Sequence, residues 1–211
     1  MRNKSYIGIT FIILVFGIWA VPKIVNKISA KPLVKFEQVP DFKFTDQNNK
    51  IVTNTNFQDK VYVVEFFFTS CPTICPEMHK SMLKIQDEFY GNPNFGIASI
   101  TIDPKRDTPE ALKKYGEEHQ VSLKNWHFLT GDKDIIYKFS NEGFRLYAGE
   151  NEEAAGGFEH SGLFALIDKE GYIRSRTIRS GDNENPIKFY DGLDAKQVQM
   201  LKEDINLLLK E

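Results

Sequence analysis

The stretch Phe66-Phe67-Phe68-Thr69-Ser70-Cys71-Pro72-Thr73-Ile74-Cys75-Pro76 decides the fold, because it places the chain's two cysteines directly after an apolar run. Val61 to Phe68 is β-branched and aromatic, as a buried strand is, whereas Met78 to Tyr90 carries apolar residues at helical spacing. Pro76 has no amide hydrogen and is tolerated only in the first helical turn, so the helix begins close to Cys75. The cysteine pair is therefore predicted to lie on a strand-to-helix turn.

This position predicts reactive or metal-binding sulfurs. A helix N-terminus lowers the pKa of a nearby cysteine, because its free amides carry partial positive charge. If the turn is already helical, residues four apart share one face, with Cβ atoms roughly 5 to 6 Å apart. Cys71 and Cys75 are then expected either to chelate one ion or, with local adjustment, to form a disulfide. A purely structural role is the alternative, in which the cysteines are small buried side chains or a permanent disulfide. Such a disulfide would add little stability, because the loop that it closes is short.

Length and charge narrow the class of protein. The chain has 211 residues, which leaves one domain with a sizeable core after an N-terminal apolar segment is set aside. The formal net charge is −2, and no basic block with interleaved aromatic residues occurs. The composition therefore predicts no nucleic-acid partner.

The N-terminus reads as an export-type segment. Tyr6 to Val21 is almost unbroken apolar sequence behind Arg2 and Lys4. No small-residue cleavage site closes the run, which favours an uncleaved membrane anchor over a signal peptide. The domain is thus expected outside the cytoplasm, where cysteines meet oxidising conditions. The predicted divisions are an anchor or signal segment at 1–22, a lysine-rich linker at 23–38 and a domain at 39–211.

Strand and helix patterns alternate through the predicted domain. Strands are predicted at 42–45, 50–53, 61–68, 95–102, 126–130, 144–148, 162–167 and 172–178. Besides the helix to Tyr90, helices are predicted from a Thr108 cap to Glu118, from Asp132 to Asn141, and from an Asp194 cap through Leu209. This order predicts an α/β fold, a mixed sheet flanked by helices. The cysteine pair at a helix start narrows it to a thioredoxin-like fold.

The four histidines are the candidates for a third metal ligand. His79 within a helix and His119 at a helix end are typical of solvated residues, and His127 on a strand is typical of a structural histidine. His160 follows the acidic, glycine-rich segment 149–159 and immediately precedes a strand. In a thioredoxin-like sheet the loop entering that strand lies against the start of the redox helix. His160 is therefore a candidate to face both cysteines, although topology alone leaves this open.

Two thiolates and one imidazole form a donor set with a definite metal preference. The set suits Cu(I), tolerates Cu(II), and in principle holds zinc, although structural zinc normally takes four protein ligands and three are on offer. Met78 and Met82 lie one helical turn apart, but they are interpreted as core filling and not as thioether ligands.

Three motifs occur in order between residues 38 and 210. They are Cys71-Pro72-Thr73-Ile74-Cys75-Pro76, then Thr101-Ile102-Asp103-Pro104-Lys105-Arg106-Asp107-Thr108-Pro109, then His160-Ser161 before a strand that ends in Leu166-Ile167-Asp168. Together they closely resemble the Sco/SenC family. The resemblance implies a membrane-tethered, thioredoxin-like protein of the bacterial periplasm or mitochondrial intermembrane space. It also implies one copper ion, Cu(I) or Cu(II), on Cys71, Cys75 and His160.

Family members assist assembly of the copper A centre of cytochrome c oxidase, by delivering copper, by reducing the acceptor cysteines, or both. The implied partner is the copper-bearing subunit of the oxidase or another copper protein. The resemblance thus implies a metallochaperone more than an enzyme. It also implies that the run 148–158 lets His160 close over an ion. Asp103 either fixes the strand end or tunes the site.

The rival interpretation is an extracytoplasmic thiol-disulfide oxidoreductase or thiol peroxidase without a copper role, in which Cys71 and Cys75 are a redox pair. Two patterns count against it. Thioredoxin-type enzymes normally separate their cysteines by two residues, whereas three separate them here. The Pro-x-x-x-Thr/Ser-x-x-Cys pattern of peroxiredoxins does not occur at the helix start. A redox-sensing regulator is a weaker alternative.

Overall fold

The computed structural model describes residue 10, residues 13–19, residue 21, residues 32–180 and residues 183–211. The chain divides into two units, Met1–Pro32 and Leu33–Glu211. Residues 10, 13–19 and 21 are helical, and no helix among the described residues is long and apolar enough to cross a membrane. The remainder of the predicted anchor, and the linker as far as residue 31, lie outside the described residues.

The second unit alternates strands and helices. Its strands are β1 Val34–Gln38, β2 Lys43–Asp46, β3 Ile51–Thr53, β4 Val61–Phe67, β5 Phe95–Thr101, β6 Trp126–Thr130, β7 Ala148–Glu150, β8 Phe158–His160, β9 Leu163–Ile167, β10 Tyr172–Ser175, β11 Thr177–Ser180, β12 Asn183–Pro186 and β13 Tyr190–Asp191. Its α-helices are α1 Cys75–Phe89, α2 Pro109–Glu118, α3 Lys133–Lys138 and α4 Ala195–Leu208. A 3₁₀ turn covers Asn54–Phe57, and a π-helical turn covers Phe139–Phe144.

Nine strands form a mixed sheet in the order β1-β10-β9-β4-β5-β6-β2-β3, with β13 also paired to β9. The β4–β5 and β5–β6 pairs are parallel, because a helix returns the chain between their strands, and the other pairs are antiparallel. The β7–β8 and β11–β12 pairs form separate two-stranded sheets. The mixed α/β architecture predicted from the sequence is confirmed.

Both faces of the central sheet are covered. Along β4, Phe67 packs beside Tyr115 of α2, whereas its neighbour Phe66 packs beside Phe139 and Phe144 in the π-helical turn. Adjacent residues of a strand point to opposite faces of the sheet. A strand that is covered on both faces therefore has apolar residues at successive positions of its sequence. Helix α4 packs against α1. Strand β4 therefore lies in the interior and ends at the cysteine turn.

Most predicted elements are confirmed, including the cap of α2, where the Thr108 hydroxyl accepts from the Ala111 amide at 3.3 Å. The predicted strand over residues 144–148 is wrong except at Ala148, where β7 begins. Phe144, Leu146 and Ala148 are buried in alternation, but Arg145 has φ of 58° and the Leu146 amide donates to the Ser140 carbonyl. The alternation therefore comes from a helix exit and not from strand pairing.

Two further boundaries differ from those read in the sequence. Residues 34–38, taken as the end of the linker, form the edge strand β1, whose side chains are half-buried or exposed and so give little apolar signal. The strand predicted at 172–178 stops at Ser175, and Thr177 begins a separate pair with Pro186. Met78 and Met82 are fully buried, which agrees with their interpretation as core residues.

Candidate metal centre

The cysteine turn leaves the C-terminal end of β4 and enters α1. The Cys71 amide donates to the Phe68 carbonyl at 3.2 Å, and α1 begins at Cys75, next to Pro76, as the sequence predicted. Cys71 therefore precedes the helix, whereas Cys75 lies in its first turn. Both cysteines are free thiols and both are buried.

The third side chain of the site comes from a small hairpin. Strands β7 and β8 pair with Ala148 opposite His160, and residues 151–157 connect them. The hairpin is anchored by Asn141, whose side chain accepts from the Ala148 amide at 2.9 Å and donates to the Ala148 carbonyl at 3.0 Å. His160 is thus the last residue of β8, and Asn141 holds the residue of β7 that pairs with it.

The two cysteines and His160 converge. His160 Nε2 lies 3.2 Å from Cys75 Sγ, and the two sulfurs and one ring nitrogen all lie within 4.8 Å of one another. His160 Nδ1 lies 3.0 Å from the Ser161 carbonyl oxygen, which only accepts, so Nδ1 carries the proton. When the ring is neutral, its lone pair is therefore on Nε2, the nitrogen that lies 3.2 Å from Cys75 Sγ. Among the described residues, no other group of three His, Cys, Asp or Glu side chains has such an arrangement.

The two sulfurs differ in acidity. The pKa of Cys71 is far below its usual value, because the Cys75 side chain hydrogen-bonds to it; hydrogen bonds from His160 and Thr73 add to the effect, while burial acts against it. The pKa of Cys75 is raised, because the Cys71 hydrogen bond favours its thiol form and burial disfavours its charge. Cys71 is therefore the more acidic of the two cysteines.

A cleft of about 460 Å³ opens beside the pair. It lies between the cysteine turn and the β7–β8 hairpin, and Cys71, Thr73, Phe158 and His160 contribute to its walls. Cys71, although buried, thus contributes to the wall of this cleft.

Asp107 holds the cysteine turn to the core and was not singled out by the sequence analysis. Its fully buried carboxylate accepts from the Thr69 amide at 3.0 Å, from the Thr69 hydroxyl at 2.5 Å and from the Thr101 hydroxyl at 2.5 Å. It therefore joins the start of the turn to the end of β5. The motif that contains Asp107 was visible in the sequence. The contact between Asp107 and Thr69 was not, because the two residues are 38 positions apart in the chain.

Glu65 is a second residue that sequence reasoning missed. It lies in β4, fully buried, and accepts from Ser99 Oγ at 2.6 Å, while Ser99 accepts from Trp126 Nε1 at 2.9 Å. Burial raises the pKa of Glu65 to about 7, although Ser99 and His160 act in the opposite direction. A single carboxylate within the apolar run 61–68 is the signal that would have identified it.

The other three histidines lie in different surroundings. His79 is buried, not solvated: its ring stacks on Trp126, its Nε2 donates to the His119 carbonyl at 2.8 Å, and burial lowers its pKa. His119 is exposed, as predicted, and its ring stacks on Tyr115. His127 packs edge-on to Phe57, with its Nδ1 3.5 Å from an Asp46 oxygen, which agrees with a structural histidine.

Asp103 lies outside the convergent group. It pairs with Arg106, and its amide donates to the Thr101 hydroxyl at 3.0 Å. These contacts agree with the interpretation that Asp103 fixes the strand end.

Comparison with known proteins identifies relatives of most of the domain. A family model described as SCO1/SenC matches residues 31–190. The SCO1 protein homolog of Bacillus subtilis strain 168 is 31% identical over 138 residues, which is 64% of this chain and 71% of the relative.

Solved structures agree with this match. BsSco, a member of the Sco family of cytochrome c oxidase assembly proteins in which a disulfide switch was identified, aligns with a TM-score of 0.68 and 26% identity, covering 83% of this chain and 95% of that one. Copper-bound ScoI of Arabidopsis thaliana aligns with a TM-score of 0.62 and 24% identity, covering 82% of this chain and all but 1% of that one. The latter likeness concerns the fold alone.

Proposed function

The chain belongs to the SCO1/SenC family, and we propose that it is a membrane-tethered copper chaperone that binds one copper ion through Cys71, Cys75 and His160. Its domain would act outside the cytoplasm, in a periplasm or an intermembrane space, in assembly of the copper A centre of cytochrome c oxidase. The observation that carries the proposal is the convergence of two sulfurs and one imidazole nitrogen within 4.8 Å of one another.

The donor set matches copper in both oxidation states. Thiolates are soft ligands that select Cu(I), and imidazole is a borderline ligand that suits Cu(II). The hydrogen bond from Nδ1 to the Ser161 carbonyl keeps Nε2 free to bind the ion. In this proposal copper is the ion that the protein transfers to an acceptor, and not a permanent cofactor. A three-ligand site leaves room for an acceptor thiolate to enter from the cleft before the donor ligands leave.

Thiol reduction is a second candidate activity, favoured by the same pair. Both cysteines are free, and Cys71 has a lowered pKa, so its thiolate is available to attack an acceptor disulfide. In that reaction Cys75 would displace the acceptor from the mixed disulfide. Cys71 and Cys75 would lose two electrons and two protons in all, and the acceptor would leave with two thiols.

The experiment that tests the proposal compares the two redox forms of the full-length protein. The reduced form should retain one copper ion per chain after anaerobic loading and desalting, and its Cu(II) form should show intense thiolate charge-transfer absorption. The form with a Cys71–Cys75 disulfide should retain none at this site, because the ion needs both thiolates.

Addition of a reductant to the disulfide form should then restore binding. Equal retention in both forms would place the metal elsewhere. Absence of copper from the reduced form would reject the copper reading in favour of a thiol-disulfide oxidoreductase.

A further inference from the structure

Arg106 connects the loop after β5 to the hairpin that carries His160. Its guanidinium Nε pairs with the carboxylate of Asp103, and its Nη2 donates to the Gly156 carbonyl at 3.1 Å. Its central carbon also lies 5.2 Å from the centre of the Phe158 ring, within the range of a cation–π contact. One side chain therefore reaches both the connection 151–157 and strand β8.

The carboxylate that orients Arg106 is fixed by the core. Asp103 is buried, and its backbone carbonyl accepts from the amides of Arg106 and Asp107 at 3.1 and 2.9 Å. Because a guanidinium is a planar fork, the contact of Nε with Asp103 sets the direction of Nη2. The Gly156 carbonyl lies in that direction, so a tight turn at the end of β5 aims the arginine at the hairpin.

The hairpin rests directly on the cysteine turn. Gly156 has φ of +87°, and a Cβ there would come within 2.9 Å of the Phe68 ring and 3.2 Å of Pro72 Cδ. The Phe158 ring centre lies 5.2 Å from that of Phe68, which in turn lies 5.8 Å from the His160 ring. Only glycine fits both the conformation and the space at position 156. The contacts of Arg106 therefore act where the hairpin approaches the sulfurs.

We propose that Arg106 is a positioning residue for His160, which it holds toward Cys71 and Cys75 by fastening the β7–β8 hairpin to the turn after β5. The inference rests on the proposed copper site. It has a specific consequence, because two thiolates bind Cu(I) without a nitrogen ligand, whereas Cu(II) needs the imidazole. Arg106 should therefore affect Cu(II) far more than Cu(I).

The test uses the full-length Arg106→Met variant, which keeps an apolar stem but loses the charge and the donors. Its Cu(II) affinity should fall about three- to tenfold, and its charge-transfer band should shift, while its Cu(I) affinity stays within about twofold of wild type. The matched control is Lys105→Met, which removes the same charge from an exposed neighbour in the same loop. That variant should bind both ions as the wild type does.

A double variant separates positioning from general destabilisation. If Arg106 acts through His160, Arg106→Met should cause no further loss of Cu(II) affinity when added to His160→Ala. Additive losses, or equal losses for Cu(I) and Cu(II), would overturn the inference while leaving the copper site intact. A wild-type protein that retains no copper would overturn the proposed function and this inference with it.

Discussion

The cysteine turn and the His160 hairpin contribute to one site, but they are held in different ways. The turn joins a strand in the centre of the nine-stranded sheet to α1, and the buried Asp107 fastens it. The hairpin is a separate two-stranded sheet, held by Asn141 and Arg106. The sulfurs therefore share the stability of the core, whereas the nitrogen depends on a few peripheral contacts.

This difference suggests a division of labour between the two regions. On the proposed site, a core-held sulfur pair would provide Cu(I) binding that survives small motions of the surface. On the proposed site, the imidazole would add Cu(II) binding, and its withdrawal would move one two-stranded hairpin without unpairing a strand of the nine-stranded sheet. The following substitutions test the cysteine turn and the His160 hairpin separately.

Loss of either sulfur should have the largest effect. Cys71→Ser and Cys75→Ser are each expected to lower the affinity for both Cu(I) and Cu(II) by at least about a hundredfold, because a hydroxyl replaces a soft thiolate. Competition titration with a chromophoric chelator measures both affinities. Tight Cu(I) binding by either variant would show that one sulfur suffices and that the pair does not act as a unit.

The core that holds the two sulfurs also contains a buried carboxyl, that of Glu65. Its ionisation should make the free energy of unfolding depend on pH. Burial raises the pKa of Glu65 from 4.5 to about 7, so between these values the folded protein binds more protons than the unfolded chain. Glu65 should therefore lower the free energy of unfolding of the reduced protein by about 3 kcal/mol as the pH rises through that window, whereas the lowered pKa of Cys71 acts in the opposite direction. Glu65→Gln does not titrate at this position, so the free energy of unfolding of the variant minus that of the wild type should rise by about this amount over the window.

Urea denaturation at a series of pH values between 4 and 8 measures this effect. The matched control is Glu117→Gln, which neutralises an exposed carboxylate and should leave the wild-type dependence in place. A pH profile of Glu65→Gln that matches the wild-type profile would mean that burial does not raise the pKa of Glu65.

Removal of the imidazole tests the hairpin side. His160→Ala should lower Cu(II) affinity by about ten- to hundredfold and Cu(I) affinity by much less, because two thiolates still hold Cu(I). His119→Ala is the control, since it removes the imidazole of an exposed residue that lies outside the convergent group. Equal losses for the two oxidation states in His160→Ala would contradict the proposed division.

The smallest effect is expected from the anchor of the hairpin. Asn141→Ala removes both hydrogen bonds to Ala148, the residue paired with His160, and should lower Cu(II) affinity about two- to fivefold. Asn48→Ala, at an exposed turn, should have no effect, because the Asn48 contact with Asp46 uses its backbone amide. A loss in Asn141→Ala as large as that in His160→Ala would mean that the hairpin detaches as a whole.

The sequence by itself determined the cysteine turn and most of the sheet. Pro76 and the apolar run before Cys71 act over a few residues, so local sterics and periodicity were enough to place β4, the turn and the start of α1. The same reasoning misread 144–147, because buried residues alternate there without a pairing partner and the strand begins only at Ala148. Local patterns report burial reliably, but they do not report what an element pairs with.

The tertiary structure decided which distant groups surround the sulfurs. His160 lies 85 positions from Cys75, Arg106 lies 50 positions from Gly156, and Asp107 lies 38 positions from Thr69. From topology alone the place of His160 remained open, and Glu65 passed unnoticed inside an apolar strand. Contacts at such separations depend on strand order and on how the hairpin packs. These follow from burial of the whole core and not from any short stretch of the chain.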